Sequence, residues 1–265
     1  MYTLEVKNLS KQIDGKQILS NVTFKVEEGE IMALVGPNGA GKTTTLKCIM
    51  NAVKKDSGEI FIFEKPFHPS IKKDIAFVTE HRKVFNNLQL GDYYKLYKTL
   101  YPSWDDMFFK NFLSRYGFNL NEEMQKFSRG QKTLILAILA FSTNAKLIIL
   151  DEPTQHLDPA ARFELIEIIK QYVNEKKGTI LLSSHEIFEL EEYATSFAII
   201  KDGKILYTDS IDEAKQKHRI VSLNENIKGA KVIAVMNNEV LVQTEEDIGE
   251  YPRLNQIIVG YLKST

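Results

Sequence analysis

At 265 residues, 43% apolar and 26% charged, the chain has material for one or two domains with a sizeable core. Its 34 basic side chains nearly cancel 35 acidic ones, and the formal net charge of -1 excludes the broad basic field expected of a nucleic-acid binder. The single cysteine, Cys48, excludes an intrachain disulfide and a thiolate metal cluster, and it reads as a small apolar core side chain.

The opening MYTLEVKNLSKQ has no basic stretch followed by an apolar core, so no secretion signal is expected. The longest apolar-rich run, TLILAILAF at 133–141, falls short of the roughly 20 residues that a membrane-spanning helix needs. Residues 2–7 and 21–27 alternate apolar and polar, with Asp14 and Gly15 in the turn region between them, which predicts an N-terminal antiparallel β-subdomain. By contrast IMALV (31–35), KLIIL (146–150) and TILLS (179–183) are short, continuously apolar runs, the pattern of parallel strands covered on both faces. Between 81 and 126 aromatic residues crowd: Tyr93, Tyr94, Tyr97, Tyr101, Trp104, Phe108, Phe109, Phe112 and Tyr116. Their recurrence at three and four predicts amphipathic helices interrupted near Pro102 and Gly117, with the rings as core rather than as a ligand-stacking surface. SFAIIKDGKILYTDS predicts a hairpin around Asp202 and Gly203, and 219–265 a small α+β appendage without a chemical motif. The predicted division is therefore 1–218, with a helical subdomain at about 81–140, and 219–265.

The first buried run leads into GPNGAGKTT, residues 36–44, with the spacing Gly36-x-x-x-x-Gly41-Lys42-Thr43 of a P-loop. Glycines at 36, 39 and 41 let backbone N–H groups turn inward around a phosphate, and the helix that follows aims its N-terminus at the same anion. The candidate nucleotide-binding residues are Gly36, Pro37, Asn38, Gly39, Ala40, Gly41, Lys42, Thr43 and Thr44. Lys42 would lie over the β- and γ-phosphates, Thr43 would offer its hydroxyl to Mg²⁺, and Thr44 would reach the α-phosphate. A P-loop also needs a metal-holding carboxylate at the end of another buried strand. In KLIILDE, Asp151 supplies it, and Glu152 directly after is the candidate general base for water.

FSRGQK, residues 127–132, resembles the LSGGQ signature of ATP-binding cassette (ABC) ATPases, and it stands between the P-loop and LIILDEPTQHLDP in that family's order. The resemblance spans residues 2 to about 210. It implies a P-loop α/β fold with a mixed or parallel core sheet, the N-terminal β-subdomain, a helical signature subdomain and the C-terminal appendage. It also implies that Ser128, Arg129, Gly130 and Gln131 open a helix aimed at a nucleotide on a partner cassette. Asp158 matches the D-loop at that interface, and His185, after TILLSS, matches the switch histidine at the γ-phosphate. Three positions depart from the family pattern: Ile13 where an aromatic ring commonly stacks on adenine, Glu80 in place of the Q-loop glutamine and its oxygen near Mg²⁺, and Arg129 in place of a glycine.

With one P-loop and one signature, the active unit implied is a dimer, of two copies or with a related chain. The expected function is Mg-dependent ATP hydrolysis powering a transporter whose transmembrane permease is a separate subunit. The chain itself would be cytoplasmic and peripheral on the inner membrane face. YYKLYKTLYPSWD resembles exporter-type cassettes, and the permease would dock between Glu80 and the aromatic stretch 93–101. The alternative is a soluble regulatory or translation-associated cassette ATPase; such proteins usually carry two cassettes or a long coiled-coil insertion, which this sequence lacks.

Overall fold

A computed structural model describes residues 1–80, 84–155, 157–188, 190–223, 229–236 and 238–264. In chain order, strands β1 (Tyr2–Ile13) and β2 (Lys16–Glu27) precede β3 (Ile31–Val35), which runs into helix α1 (Lys42–Ile49). The short strands β4 (Ser57–Ile62), β5 (Lys65–Pro66) and β6 (Ile75–Val78) follow, then helices α2 (Leu90–Leu100), α3 (Asp106–Tyr116) and α4 (Arg129–Ser142). Next come β7 (Leu147–Asp151), α5 (Pro159–Lys176), β8 (Thr179–Ser184), β9 (Ser196–Lys201) and β10 (Lys204–Ser210). The chain closes with α6 (Ile211–Lys217), β11 (His218–Ser222), β12 (Lys231–Met236), β13 (Glu239–Gln243) and α7 (Leu254–Lys263). Backbone contacts group these into two units, one of Met1–Glu5, Lys25–Glu30 and Ile60–Ser183, the other of Val6–Phe24, Ile31–Glu59 and the chain from Ser184 on.

The first unit is built on parallel β6, β7 and β8. Ile75 to Val78 lie beside Leu147 to Leu150, and Leu147 to Asp151 beside Thr179 to Ser183. Every residue of β7 and β8 is buried, which is why both read as unbroken apolar runs. The TLILAILAF segment forms most of α4, buried from Thr133 to Ser142 and packed on α2, α3, α5 and β6. Helix α2 stops before Pro102, and α3 stops at Gly117, whose φ of 65° is the left-handed helix end that glycine holds without strain. The rings between them are mostly core: Tyr93, Phe109 and Phe112 are buried, Tyr94 stacks on Phe109 at 5.1 Å, and Trp104 lies 5.2 Å from the same ring. Burial pushes the Tyr97 hydroxyl up to about 12. Asp106 accepts from Tyr94 Oη at 2.7 Å and Trp104 Nε1 at 3.2 Å and pairs with Lys110 at 2.7 Å, so its carboxyl is held far below the usual range, Lys110 contributing most.

In the second unit β3 runs parallel to β9, and β10 turns back antiparallel through Asp202 and Gly203, the predicted hairpin. Strands β1 and β2 reach further than their apolar alternation because polar side chains carry the pairing toward the turn: Asn8 N donates to Thr23 Oγ1 at 2.9 Å and Asn21 N to Ser10 Oγ at 3.0 Å. Cys48 is buried on α1. The C-terminal strands form a sheet in the order β11-β13-β12, covered by α7, which also packs on β9, β10 and α6. The buried His218 ring marks this junction: Nδ1 lies 2.7 Å from Ala214 O and Nε2 3.0 Å from Tyr261 Oη, while Tyr207 stacks on Tyr261 at 4.6 Å. Desolvation lowers the His218 pKa from the usual histidine value.

Candidate functional site

The loop after β3 is held in a shape that glycine alone permits at several positions. A Cβ on Gly36 would lie 2.1 Å from the Ile200 carbonyl oxygen, and Gly41, at φ 108°, would drive one to 2.6 Å from Leu19. Gly39 also has positive φ, at 80°. The loop is fastened from behind: Gly36 N donates to Ser184 O at 3.3 Å, and Gly203 N donates to Ala40 O at 3.0 Å. Pro37, Asn38 and Gly39 are exposed at its mouth, and Ala40 is buried. Lys42 is only 5% exposed, with Nζ donating to Gly36 O at 2.7 Å and Pro37 O at 3.2 Å, so the ammonium lies back across the loop. Thr43 and Thr44 are half-buried on the first turn of α1, and Thr45 Oγ1 donates to Gly41 O at 2.9 Å. A fixed glycine cradle, a helix N-terminus and a cation fit a polyphosphate.

On the same unit His185 is half-buried in the bend after β8. The neighbouring hydroxyl shapes that bend, Ser184 Oγ accepting from Glu186 N at 2.9 Å. Ile13, at the end of β1, is 41% exposed.

The other unit carries the carboxylates. Asp151 ends β7 at 1% exposure, and Glu152 follows at 5% with a left-handed φ of 49°, a costly conformation for a side chain other than glycine, asparagine or aspartate. One hydroxyl that the sequence did not single out joins them. The fully buried Ser183 donates from Oγ to Asp151 Oδ1 at 2.7 Å and accepts from Glu152 N at 3.0 Å. In sequence Ser183 is merely the polar end of TILLS; its partners become visible only with the parallel register that sets Ser183 beside Asp151. A buried carboxylate held this way is a suitable oxygen donor for a hard divalent cation such as Mg²⁺.

Ser128 is the N-cap of α4, exposed, with Oγ accepting from Gln131 N at 3.2 Å and Ser128 N donating to Gln131 Oε1 at 2.9 Å. The signature is thus a capping box, which employs the Ser128 and Gln131 side chains in the helix start itself. Arg129 is exposed and Gly130 half-buried, so the helix opens toward solvent with its first-turn N–H groups directed along the axis. A Cβ on Gly130 would find its nearest neighbour among the described residues at 3.8 Å, so none of them demands glycine there. Asp158 is exposed and caps α5 by accepting from Ala161 N at 3.0 Å. Glu80 is half-buried in the turn after β6; His81 to Lys83, and His156 of the QHLD stretch, lie outside the described residues.

A family profile described as "ABC transporter" matches residues 19–155. The chain is 29% identical over 217 residues to the ABC transporter ATP-binding protein YtrB of Bacillus subtilis, covering 81% of this chain and 74% of the relative. It is 33% identical over 211 residues to the lantibiotic transport ATP-binding protein SrtF of Streptococcus pyogenes, covering 79% and 91%. Among solved structures, one described as the ATP binding subunit of an ABC transporter superposes with a TM-score of 0.71 at 31% identity, covering 80% of this chain and 92% of that one.

Proposed function

The chain belongs to the ABC transporter family of ATP-binding cassettes, and from that premise we propose that it is the MgATP-hydrolysing subunit of a transporter, most simply an exporter, whose membrane-spanning part is a separate chain. It binds ATP as a single cassette. The Gly36–Thr44 loop wraps the phosphates and Lys42 neutralises their charge. Thr43, Asp151 and Glu80 are the oxygen donors that would hold Mg²⁺, which when bound would supply charge neutralisation for phosphoryl transfer. Glu152 takes the proton of the attacking water, His185 orients that water at the γ-phosphate, and ADP leaves with its bond electrons. The observation that supports the partner requirement is the start of α4, where Arg129 is exposed and Gly130 half-buried, so the helix N-terminus faces solvent. In this reading a second cassette brings its nucleotide there, and Asp158 lies at the same interface.

Ser183 then acts as a positioning residue. Ser183→Ala should lower kcat about tenfold, the worth of one buried hydrogen bond to a charged group, and raise the Mg²⁺ concentration needed for half-activity, with ATP affinity little changed. Ser183→Thr should restore both. A Ser183→Ala enzyme with normal Mg²⁺ dependence would remove the positioning role.

Among the described residues no helix is long and apolar enough to cross a membrane. We place the chain in the cytoplasm on the inner membrane face, held by the permease. In the docking stretch Tyr93 is buried and Tyr94, Tyr97 and Tyr101 are half-buried, packed on one another and on Trp104, so Leu96 and Leu100, the exposed apolar residues of α2 at 52% and 57%, are the side chains offered to the permease. The cassette proper is taken as 1–218, with the helical subdomain at about 81–140 and 219–265 as an addition built on the β9–β10 hairpin. Cell fractionation with and without a co-expressed membrane-spanning permease tests the coupling. Membrane recovery should require that subunit and be lost in Leu96→Glu/Leu100→Glu, with MgATP binding kept. Equal soluble recovery in both backgrounds would favour a soluble regulatory ATPase instead.

A further inference from the structure

We infer that the edge of β12, which meets no further strand among the described residues, is a self-association surface, on which a second copy of this chain adds its own β12, antiparallel about a twofold axis. Among the described residues the C-terminal sheet is ordered β11-β13-β12, so β12 is an edge. Such edges are usually guarded by inward charges, proline or a covering loop. Here the strand reads KVIAVM, with Val232 46% and Val235 56% exposed, and a groove of about 620 Å³ runs along it, lined in part by Leu206 and Tyr261. The register with β13 explains the two exposed valines. Val232 pairs with Val242 and Val235 with Val240, while Ile233 is an extra residue, a bulge, between them. The bulge keeps both valines on the face of the Val221, Val240 and Val242 cluster, and it turns the buried Ile233 and Ala234 the other way.

That pattern reads the same in both directions. Two antiparallel copies with Val232 opposite Val235 place Lys231 opposite Met236 and Ile233 opposite Ala234, and every pair then shares a face, as cross-strand neighbours must. A bulge ordinarily discourages pairing, because a straight strand cannot follow it. A twofold copy carries the same bulge at the facing position, so a second copy fits where an arbitrary extended peptide does not. Charge agrees with this register. Met236 pairs with Glu239 on β13, on the same face as Lys231, so Lys231 of the copy faces Met236 with Glu239 one strand beyond. At strand spacings of about 4.8 Å, the backbones of Lys231 and Glu239 stand about 9.6 Å apart, within reach of the two extended side chains. The twofold repeats that pair, and the exposed valines close two apolar contacts between them.

This contact needs no nucleotide, so its test is separate from that of the ATPase reading. Sedimentation equilibrium of the full nucleotide-free chain over a concentration series should report a dimer. Val235→Lys should weaken it by about a hundredfold or more, as loss of a central anchor does, with MgATP binding unchanged. Lys231→Glu should also weaken the dimer, and Lys231→Glu/Glu239→Lys should restore it. A mixture of the single variants Val232→Cys and Val235→Cys should give a covalent heterodimer on mild oxidation, the native Cys48 being buried. A monomer at every concentration, a dimer indifferent to Val235→Lys, or a mixture that forms no cross-link overturns the proposal.

Discussion

Glu152→Gln should retain MgATP affinity while hydrolysis falls by about two orders of magnitude or more, the scale of a lost general base. The amide preserves size and hydrogen bonding but cannot accept a proton at neutral pH, so the step lost is proton removal from water. Two structural facts sharpen the expectation. Glu152 is 5% exposed, and its backbone is fixed by Ser183 in a left-handed turn, so bulk solvent or a neighbouring side chain has little freedom to take over the role. Because the nucleotide then persists, MgATP should also convert the variant from monomer to dimer once β12 contacts are removed by Val235→Lys. Single-turnover hydrolysis near the unmodified rate would sink the assignment of Glu152. A strictly monomeric mass at saturating MgATP would instead oppose a dimer of two copies and leave a related partner cassette.

What could be read from the sequence follows from where backbone requirements dictate side-chain type. Strands β3, β7 and β8 announce themselves because both faces are covered, so each residue must be apolar, and the loop after β3 because its φ values and close approaches leave glycine as the tolerated choice at 36 and 41. The cap at Ser128 is legible for the same reason, a local pattern with a local partner three residues on. Ser183 is not, since its two bonds span 31 and 32 residues of sequence and exist only through the β7–β8 register. Nor was the length of β1 and β2, where Asn8 and Ser10 lie beyond the alternating run of 2–7 and the pairing continues through the bonds of Asn8 N to Thr23 Oγ1 and Asn21 N to Ser10 Oγ. The aromatic stretch was legible as core from its spacing, but spacing does not reveal that rings would stack inward and leave Leu96 and Leu100 outside. The edge of β12 was illegible too, because a bulge places valines three apart on one face and breaks the alternation on which strand reading depends.

The largest effect on binding is expected from Lys42→Ala, which should weaken MgATP by about a hundredfold or more and abolish measurable turnover. The loss has two sources. In the proposed role the ammonium would neutralise charge on the β- and γ-phosphates, where a charge-assisted bond is worth roughly 1.5 to 3 kcal/mol. In this structure the same ammonium bonds Gly36 O and Pro37 O, so its removal also frees the two carbonyls that set the start of the cradle. Lys42→Arg is informative because it keeps the charge. The planar guanidinium is wider than an ammonium and cannot retain the bonds to Gly36 O and Pro37 O at a position only 5% exposed, so it too should bind poorly. Isothermal titration separates the sources. If charge alone matters, arginine restores affinity and alanine does not; if the cradle geometry matters, both lose it, and the melting temperature of the nucleotide-free variants drops with them. Unchanged MgATP affinity in Lys42→Ala would remove the loop from nucleotide binding altogether, and with it the reading of Gly36 to Thr44 as the phosphate cradle.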